Sequence, residues 1–211
     1  MKVLCVSDQI DPLVYADGIK QSYAEVDMIL SAGNLPMDYL DFIANSLKKP
    51  LFFVLGNQYD NKHSNETVCV DGKVRRDAGL VIAGLGGSMR YNKGENQYTD
   101  FEMNIRMLRL IPALVYNRIV RGRFLDILLT HTSQTGIHDK GIYDKGIHTK
   151  EEKYLMGFKC FLLFMRVFKP KYLVHGHIPP YNMADHRSTK YQKTFVVNVY
   201  GHYLIDTDEI L

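Results

Sequence analysis

The chain has 211 residues, 46% of them hydrophobic and 23% charged, with a formal net charge of +3. That length supports one substantial domain over residues 1–211, and the charge is too small and too dispersed to indicate nucleic acid as a partner. Three cysteines at unpaired spacings, Cys5, Cys69 and Cys160, exclude a disulfide framework or a zinc finger and read as buried reduced thiols. No apolar run reaches the ~18 residues needed to cross a bilayer, and no signal-peptide pattern follows Met1. The expectation is a cytoplasmic protein with no membrane partner.

Residues 2–7 form a β-rich apolar run that stops at Asp8. Residues 12–25 are mixed, with a helix favoured. Met28 to Ala32 is a second strand and closes on Gly33-Asn34. Pro36 opens a helix to about Leu47, with Leu40, Ile43 and Leu47 on one face. Leu51 to Leu55 is a third strand, ending in Gly56-Asn57-Gln58. Strand, helix, strand at this spacing predicts a parallel sheet with crossover helices.

A polar stretch from Tyr59 to Glu66 follows, then strands at Thr67 to Val70 and Leu80 to Ala83, joined through Asp71-Gly72 and Asp77-Ala78-Gly79. Gly84 to Ser88, with Arg90-Tyr91 behind it, reads as a flexible turn whose amides suit an anion. Thr99 caps a long helix from Asp100 to about Val120, which Pro112 is expected to kink or divide. Leu125 to Thr130 is the next strand and ends on His131. Three tandem pentads then repeat one pattern, from Gly136 to Lys140, Gly141 to Lys145 and Gly146 to Lys150, and predict a loop. Lys150 to Phe168 reads as a buried helix. Tyr172 to Val174 is a buried strand running into His175-Gly176-His177. Thr194 to Tyr200 and Tyr203 to Asp206 are expected to pair as a hairpin across Gly201-His202.

Five strand ends thus present Asp8, Asn34, Asn57 with Gln58, His131 and His177. Open α/β sheets place ligands at the carboxyl ends of their strands. Carboxylate, amide oxygen and imidazole suit a borderline divalent metal such as Mn, Fe or Zn, and the lack of thiolates among them argues against a structural zinc site. His138 and His148 in the pentad loop, and His175 beside the strand, are auxiliary candidates, with Asp11 and Asp139 within reach. The favoured reading of His138 and His148 is a solvated loop, and of His175 a hydrogen-bonded ring behind its strand. Arg90 is a candidate phosphate ligand. His63, His186 and His202 read as surface or turn residues.

These blocks, in this order, resemble the calcineurin-like metallophosphoesterases. Asp8-Gln9-Ile10, Gly33-Asn34, Gly56-Asn57-Gln58, His131 and Gly176-His177-Ile178-Pro179 stand where that family has Asp-x-His, Gly-Asp, Gly-Asn-His, a lone His and Gly-His-x-His. Gly84 to Asn92, followed by Asn96 to Thr99, is similar to a bacterial subfamily of small single-domain members. The resemblance implies an α/β fold, a four-layer αββα sandwich of two mixed β-sheets flanked by helices. It also implies two metal sites and a catalytic histidine, and here the chain departs from the pattern. The first metal's ligands map to Asp8, Ile10, Asn34 and Pro179, where Ile10 and Pro179 have no donor side chain and Asn34 no charge. The second metal's ligands map to Asn34, Asn57, His131 and His177. The histidine of Gly-Asn-His is Gln58, which donates a hydrogen bond but does not transfer a proton at neutral pH.

The expectation is a degenerate dinuclear centre with one divalent metal at most, or none. Losing one ion removes several kcal/mol of transition-state stabilisation, roughly three orders of magnitude in rate. Three functional readings follow. The first is a phosphoesterase-like protein with weak or no hydrolysis that binds a small phosphorylated ligand or a protein partner. The second is an active phosphoesterase or phosphodiesterase with a mononuclear or rebuilt site, and the third a protein-interaction module.

Overall fold

The computed structural model describes residues 1–58, 67–140, 153–180 and 187–208. The chain opens with β1 (Lys2–Ser7), α1 (Ile19–Ser22), β2 (Val26–Ser31), α2 (Met37–Leu47), β3 (Leu51–Phe53) and β4 (Thr67–Cys69). There follow β5 (Val74–Asp77), β6 (Leu80–Leu85), the short β7 (Ser88–Met89) and β8 (Gln97–Tyr98), and α3 (Asp100–Arg121). The last elements are β9 (Ile127–Thr130), α4 (Lys159–Phe168), β10 (Tyr172–His175), β11 (Ser188–Tyr191), β12 (Thr194–Asn198) and β13 (Gly201–Asp206).

Two large mixed sheets result. The first runs β13-β1-β2-β3-β4, parallel except for β13. The second runs β11-β12-β10-β9-β6-β5, with a parallel centre and an antiparallel strand at each edge. The central strands are apolar on both faces because each face meets another layer. In β1, Val3 and Cys5 point between the sheets, where they meet Ile127, Leu129 and Val174 of the second sheet. Leu4 and Val6 point outward, onto Tyr39, Leu40 and Ile43 of α2. The outer face of the second sheet, with Ala83, Leu128 and Leu173, is covered by Met103 and Leu114 of α3 and by Phe161 and Phe164 of α4. Helix, sheet, sheet, helix is the αββα sandwich expected.

Several elements differ from expectation, each for a physical reason. The helix expected in residues 12–25 shrinks to the one turn of α1. Helix α3 runs unbroken through Pro112. The proline sits on the exposed face, so the carbonyl it strands is open to solvent. The helix expected over Lys150 to Phe168 is interrupted: Lys153 and Tyr154 are helical, and α4 begins at Lys159, after Gly157, whose site leaves no room for a side chain against the backbone of Gln134. Val74–Asp77, read as a connection, is a strand, and so is Ser188–Tyr191. The C-terminal hairpin does not form. β12 lies in the second sheet and β13 in the first, and Arg187 donates to the carbonyls of Asn198, Tyr200 and His202 along the crossing. Cys5 and Cys160 are buried free thiols, while Cys69 is half-buried. Among the described residues no helix is long and apolar enough to cross a membrane.

One ion pair holds the glycine-rich turn after β6. Asp71 accepts from Gly86 N at 2.6 Å and from Arg106 Nη2 at 2.6 Å, while Arg106 Nη1 donates to Gly86 O at 2.9 Å. The Arg106 guanidinium also lies over the Tyr98 ring at 4.1 Å. Both partners are nearly buried, so removing one strands the other's charge. Asp71→Ala is expected to cost about 3 kcal/mol in chemical denaturation, and adding Arg106→Leu should recover part of that loss. A single-variant cost near zero would show that the pair does not hold the turn.

Candidate metal centre

The cleft lies at the carboxyl ends of β1, β2, β9 and β10. Three non-glycine residues there, Asp8, Asn34 and His177, have φ of 63°, 59° and 65°. Left-handed backbone is costly for residues with a Cβ and concentrates at functional sites. Here it swings each side chain off its strand and into the cleft. Close backbone approach supplies the room. A Cβ on Gly56 would strike the Asn34 amide, and one on Gly176 would strike Ser7 Oγ and the Asp8 carboxylate.

Hydrogen bonds from each ring fix the tautomers. His131 Nδ1 lies 2.7 Å from Ala32 O, which only accepts, so Nδ1 carries the proton. His177 Nε2 lies 2.8 Å from Tyr154 O, so the proton is on Nε2. Burial pushes each imidazole down to about 4, so both rings are neutral at pH 7. The two lone-pair nitrogens, His131 Nε2 and His177 Nδ1, then face each other at 3.1 Å. Asn57 Oδ1, a third acceptor, stands 3.0 Å from His131 Nε2. An Asp8 carboxylate oxygen completes a group whose ligand atoms, with those of His131 and His177, all lie within 4.8 Å of one another.

Acceptors facing acceptors with no proton between them fit a cation. Ligands ~2.0–2.1 Å from a tetrahedral ion are ~3.3 Å apart, close to the span of these two nitrogens. The residues therefore fit one divalent metal.

Asn34 works differently. Its Oδ1 accepts from the backbone N–H groups of Asn57 (2.9 Å) and Gln58 (3.0 Å). Its Nδ2 donates to Asp8 Oδ1 at 3.0 Å and to Asn57 Oδ1 at 3.1 Å. The reverse amide orientation would set oxygen against oxygen, so the partners fix this one. Asn34 thus turns a nitrogen, not the expected oxygen, towards the other ligands. Asp8 Oδ2 accepts from His177 N at 2.6 Å and from the Ser7 hydroxyl. Burial still holds the Asp8 carboxyl above its ordinary range, with His177 pulling the other way.

Ile10 and Pro179, at the other positions of the first metal site, are both exposed. Gln58 is exposed, and its side chain hydrogen-bonds Tyr154. Arg90 spends its guanidinium on Gln97 O (3.2 Å) and Glu102 (2.9 Å). His175 is buried and donates from Nδ1 to Gly176 O at 3.0 Å. His138 donates to His175 Nε2 at 3.1 Å and accepts from Thr189 Oγ1 at 2.8 Å. That closed chain leaves neither ring a free lone pair, so His138 is half-buried structure rather than solvated loop, and it stands apart from the metal cluster. His148, with the second and third pentads, and His63 and His186 lie outside the described residues. His202 is no bare turn residue, since its Nδ1 meets Asp11 Oδ2 at 2.6 Å.

Sequence reasoning named Tyr91 only beside Arg90, as a holder of phosphate or an acidic partner, and missed Tyr154. Asn57 Nδ2 donates to the Tyr91 hydroxyl at 3.0 Å, and the Tyr154 ring lies 4.3 Å from that of His177 and 5.1 Å from that of Tyr91. Tyr91 adjoins Arg90 in the glycine turn, but nothing in the spacing around Tyr154 pointed to the cleft.

No protein-family model and no curated protein sequence matches the chain. Solved structures do. TT1561 of Thermus thermophilus superposes with a TM-score of 0.64 at 16% identity, over 95% of this chain and 89% of that one. The phosphopantetheinyl hydrolase PptH of Mycobacterium tuberculosis matches at 0.49 and 11%, over 94% and 88%. An archaeal phosphodiesterase matches at 0.46 and 10%, over 99% and 94%. The chain has the metallophosphoesterase fold, as its motif order implied. With that fold comes a group of side chains able to hold a metal ion.

Two outcomes follow from this geometry. Gly176→Ala forces the Asp8 and His177 strand ends apart, so it should cost about 1–3 kcal/mol and lower metal affinity; unchanged affinity would mean that the close approach is not needed. In chelator, the histidine rings are neutral in the folded protein down to about pH 4 but protonate near 6.5 when unfolded. The unfolded chain then binds more protons across that window, so stability should fall as pH drops from 6.5 towards 4, by roughly 3 kcal/mol per ring. Denaturation midpoints that stay flat over that range would show that the rings are not held neutral.

Proposed function

We propose that the cleft binds one divalent metal ion, Mn, Fe or Zn, through Asp8, Asn57, His131 and His177, and with it the phosphoryl group of a small phosphorylated ligand, with phosphoester hydrolysis weak or absent. The observation that carries this reading is the pair of lone-pair nitrogens of His131 and His177 facing each other beside Asn57 Oδ1. When bound, the ion would act as a Lewis acid on phosphoryl oxygens.

The protein's own groups support binding better than turnover. Ala32 and Tyr154 hold the two tautomers, so the imidazoles serve as ligands and not as proton carriers. Asn34 staples Asp8 to Asn57 by hydrogen bonds, where a bridging carboxylate would draw a second ion. Ile10 and Pro179 bring no donor side chain to a second site. Gln58 moves no proton. The protein as a metal-dependent phosphoesterase is the second reading, and one feature favours it. The Tyr91 hydroxyl accepts from Asn57, which leaves its own proton free for a leaving-group oxygen in the cleft.

Elemental analysis of protein purified without chelator is expected to give about one metal per chain, lost in His177→Ala. Phosphodiester turnover should stay orders of magnitude below that of a two-metal enzyme. Two metals per chain would overturn the one-site reading, and none in a folded protein would remove the metal from it. Fast turnover abolished by Tyr91→Phe would establish the second reading.

A further inference from the structure

Helix α3 carries an unusual exposed face. Of the 14 large hydrophobic side chains exposed among the described residues, seven lie on it: Phe101, Ile105, Leu108, Val115, Tyr116, Ile119 and Val120. Leu163 and Val167 of the neighbouring α4 are exposed as well. The core face of α3 is separate and complete, formed by Met103, Met107, Leu110 and Leu114. The exposed set is therefore not spillover from the core. Its outermost members, Phe101 and Ile119, are 73% and 78% exposed and ~27 Å apart along the axis.

The stripe is arranged about its own centre. Phe101 and Ile119, Ile105 and Val115, and Leu108 and Pro112 are each equidistant from position 110 in the sequence. A second copy of the helix laid antiparallel would set each member of a pair against the other. Charge follows the same symmetry. The first turn is acidic (Asp100, Glu102) and the last basic (Arg118, Arg121), so an antiparallel copy brings each acidic end to a basic one and opposes the helix dipoles. A parallel copy would put like against like. With roughly 200 Å² for a large side chain, the seven exposures offer on the order of 700 Å². That is comparable to the ~800 Å² per partner of a stable interface and larger than the usual patch on a monomer.

We infer that this face is an isologous dimer interface, in which α3 of one chain packs antiparallel on α3 of a second copy about a two-fold axis near position 110. A two-fold contact needs a surface complementary to itself, in shape and in charge, and the stripe meets both conditions. The interface lies on the outer face of the second sheet's helix layer, away from the strand ends that form the cleft. Its success or failure is therefore independent of the metal reading.

Sedimentation equilibrium of the full chain tests the inference, with circular dichroism as the check on folding. The wild type is expected at twice the mass of one chain at tens of micromolar. Leu108→Glu, which sets two carboxylates beside the axis, should raise the dimer dissociation constant on the order of 100-fold while the protein stays folded. Mixing the Phe101→Cys and Ile119→Cys variants under oxidation should give mainly the mixed disulfide, because only antiparallel pairing brings these two positions together. A monomeric wild type would overturn the inference and leave the stripe to a different partner. A dimer indifferent to Leu108→Glu, or one that cross-links each cysteine to its own kind, would overturn it as well.

Discussion

The two sheets are tied together at the cleft by hydrogen bonds that cross between them. The Asp8 carboxylate, at the end of β1, accepts from the backbone N–H of His177 beyond β10, and His131 beyond β9 donates to the carbonyl of Ala32 beyond β2. Each bond does two things. It closes the sandwich where no apolar side chain could, and it fixes the chemistry of the side chain that makes it. His131 has to present its other nitrogen to the cleft because Ala32 takes the first. The left-handed turns at Asp8, Asn34 and His177 are the cost of bringing these groups together, and the bonds that over-determine them explain why the strain persists.

The site that results is shaped by what it lacks as much as by what it holds. Two neutral imidazoles and an amide oxygen leave lone pairs unopposed, and a carboxylate stands near them. In the resemblance that the motifs suggested, a second carboxylate would stand at position 34 and draw a second ion. Here an amide stands there, and its NH₂ group bridges Asp8 and Asn57 as a pair of donors. The amide at position 34 carries no charge, and its hydrogen bonds hold the Asp8 and Asn57 oxygens together.

The outer layers follow a separate logic. Both helix layers bury one face on a sheet, yet α3 keeps a second apolar face turned to solvent, bounded by opposite charges at its two ends. Burial of its inner face already accounts for its place in the fold. In the inferred dimer, the outer face answers to a constraint between chains rather than within one.

The sequence alone determined much of this protein. The order of strand ends, the residue types they present, the lack of a donor side chain at Ile10 and Pro179 and of a titratable one at Gln58 are local facts, written in apolar runs, glycines and the residues that follow them. The capped helix at Thr99 and the crossover units are local as well, since propensity, caps and spacing act over a few residues. The tertiary structure alone decided the rest. It placed β12 and β13 in different sheets, with Arg187 bonded to the carbonyls along the crossing between them. It joined Thr189, a residue far along the chain, to His138, and His138 to His175. It turned the Asn34 nitrogen, rather than its oxygen, towards the cleft. It chose the tautomers through Ala32 and Tyr154, whose carbonyls reach the rings only once the sheets have packed. The direction in which a lone pair points depends on partners distant in sequence, and no periodicity or spacing encodes it.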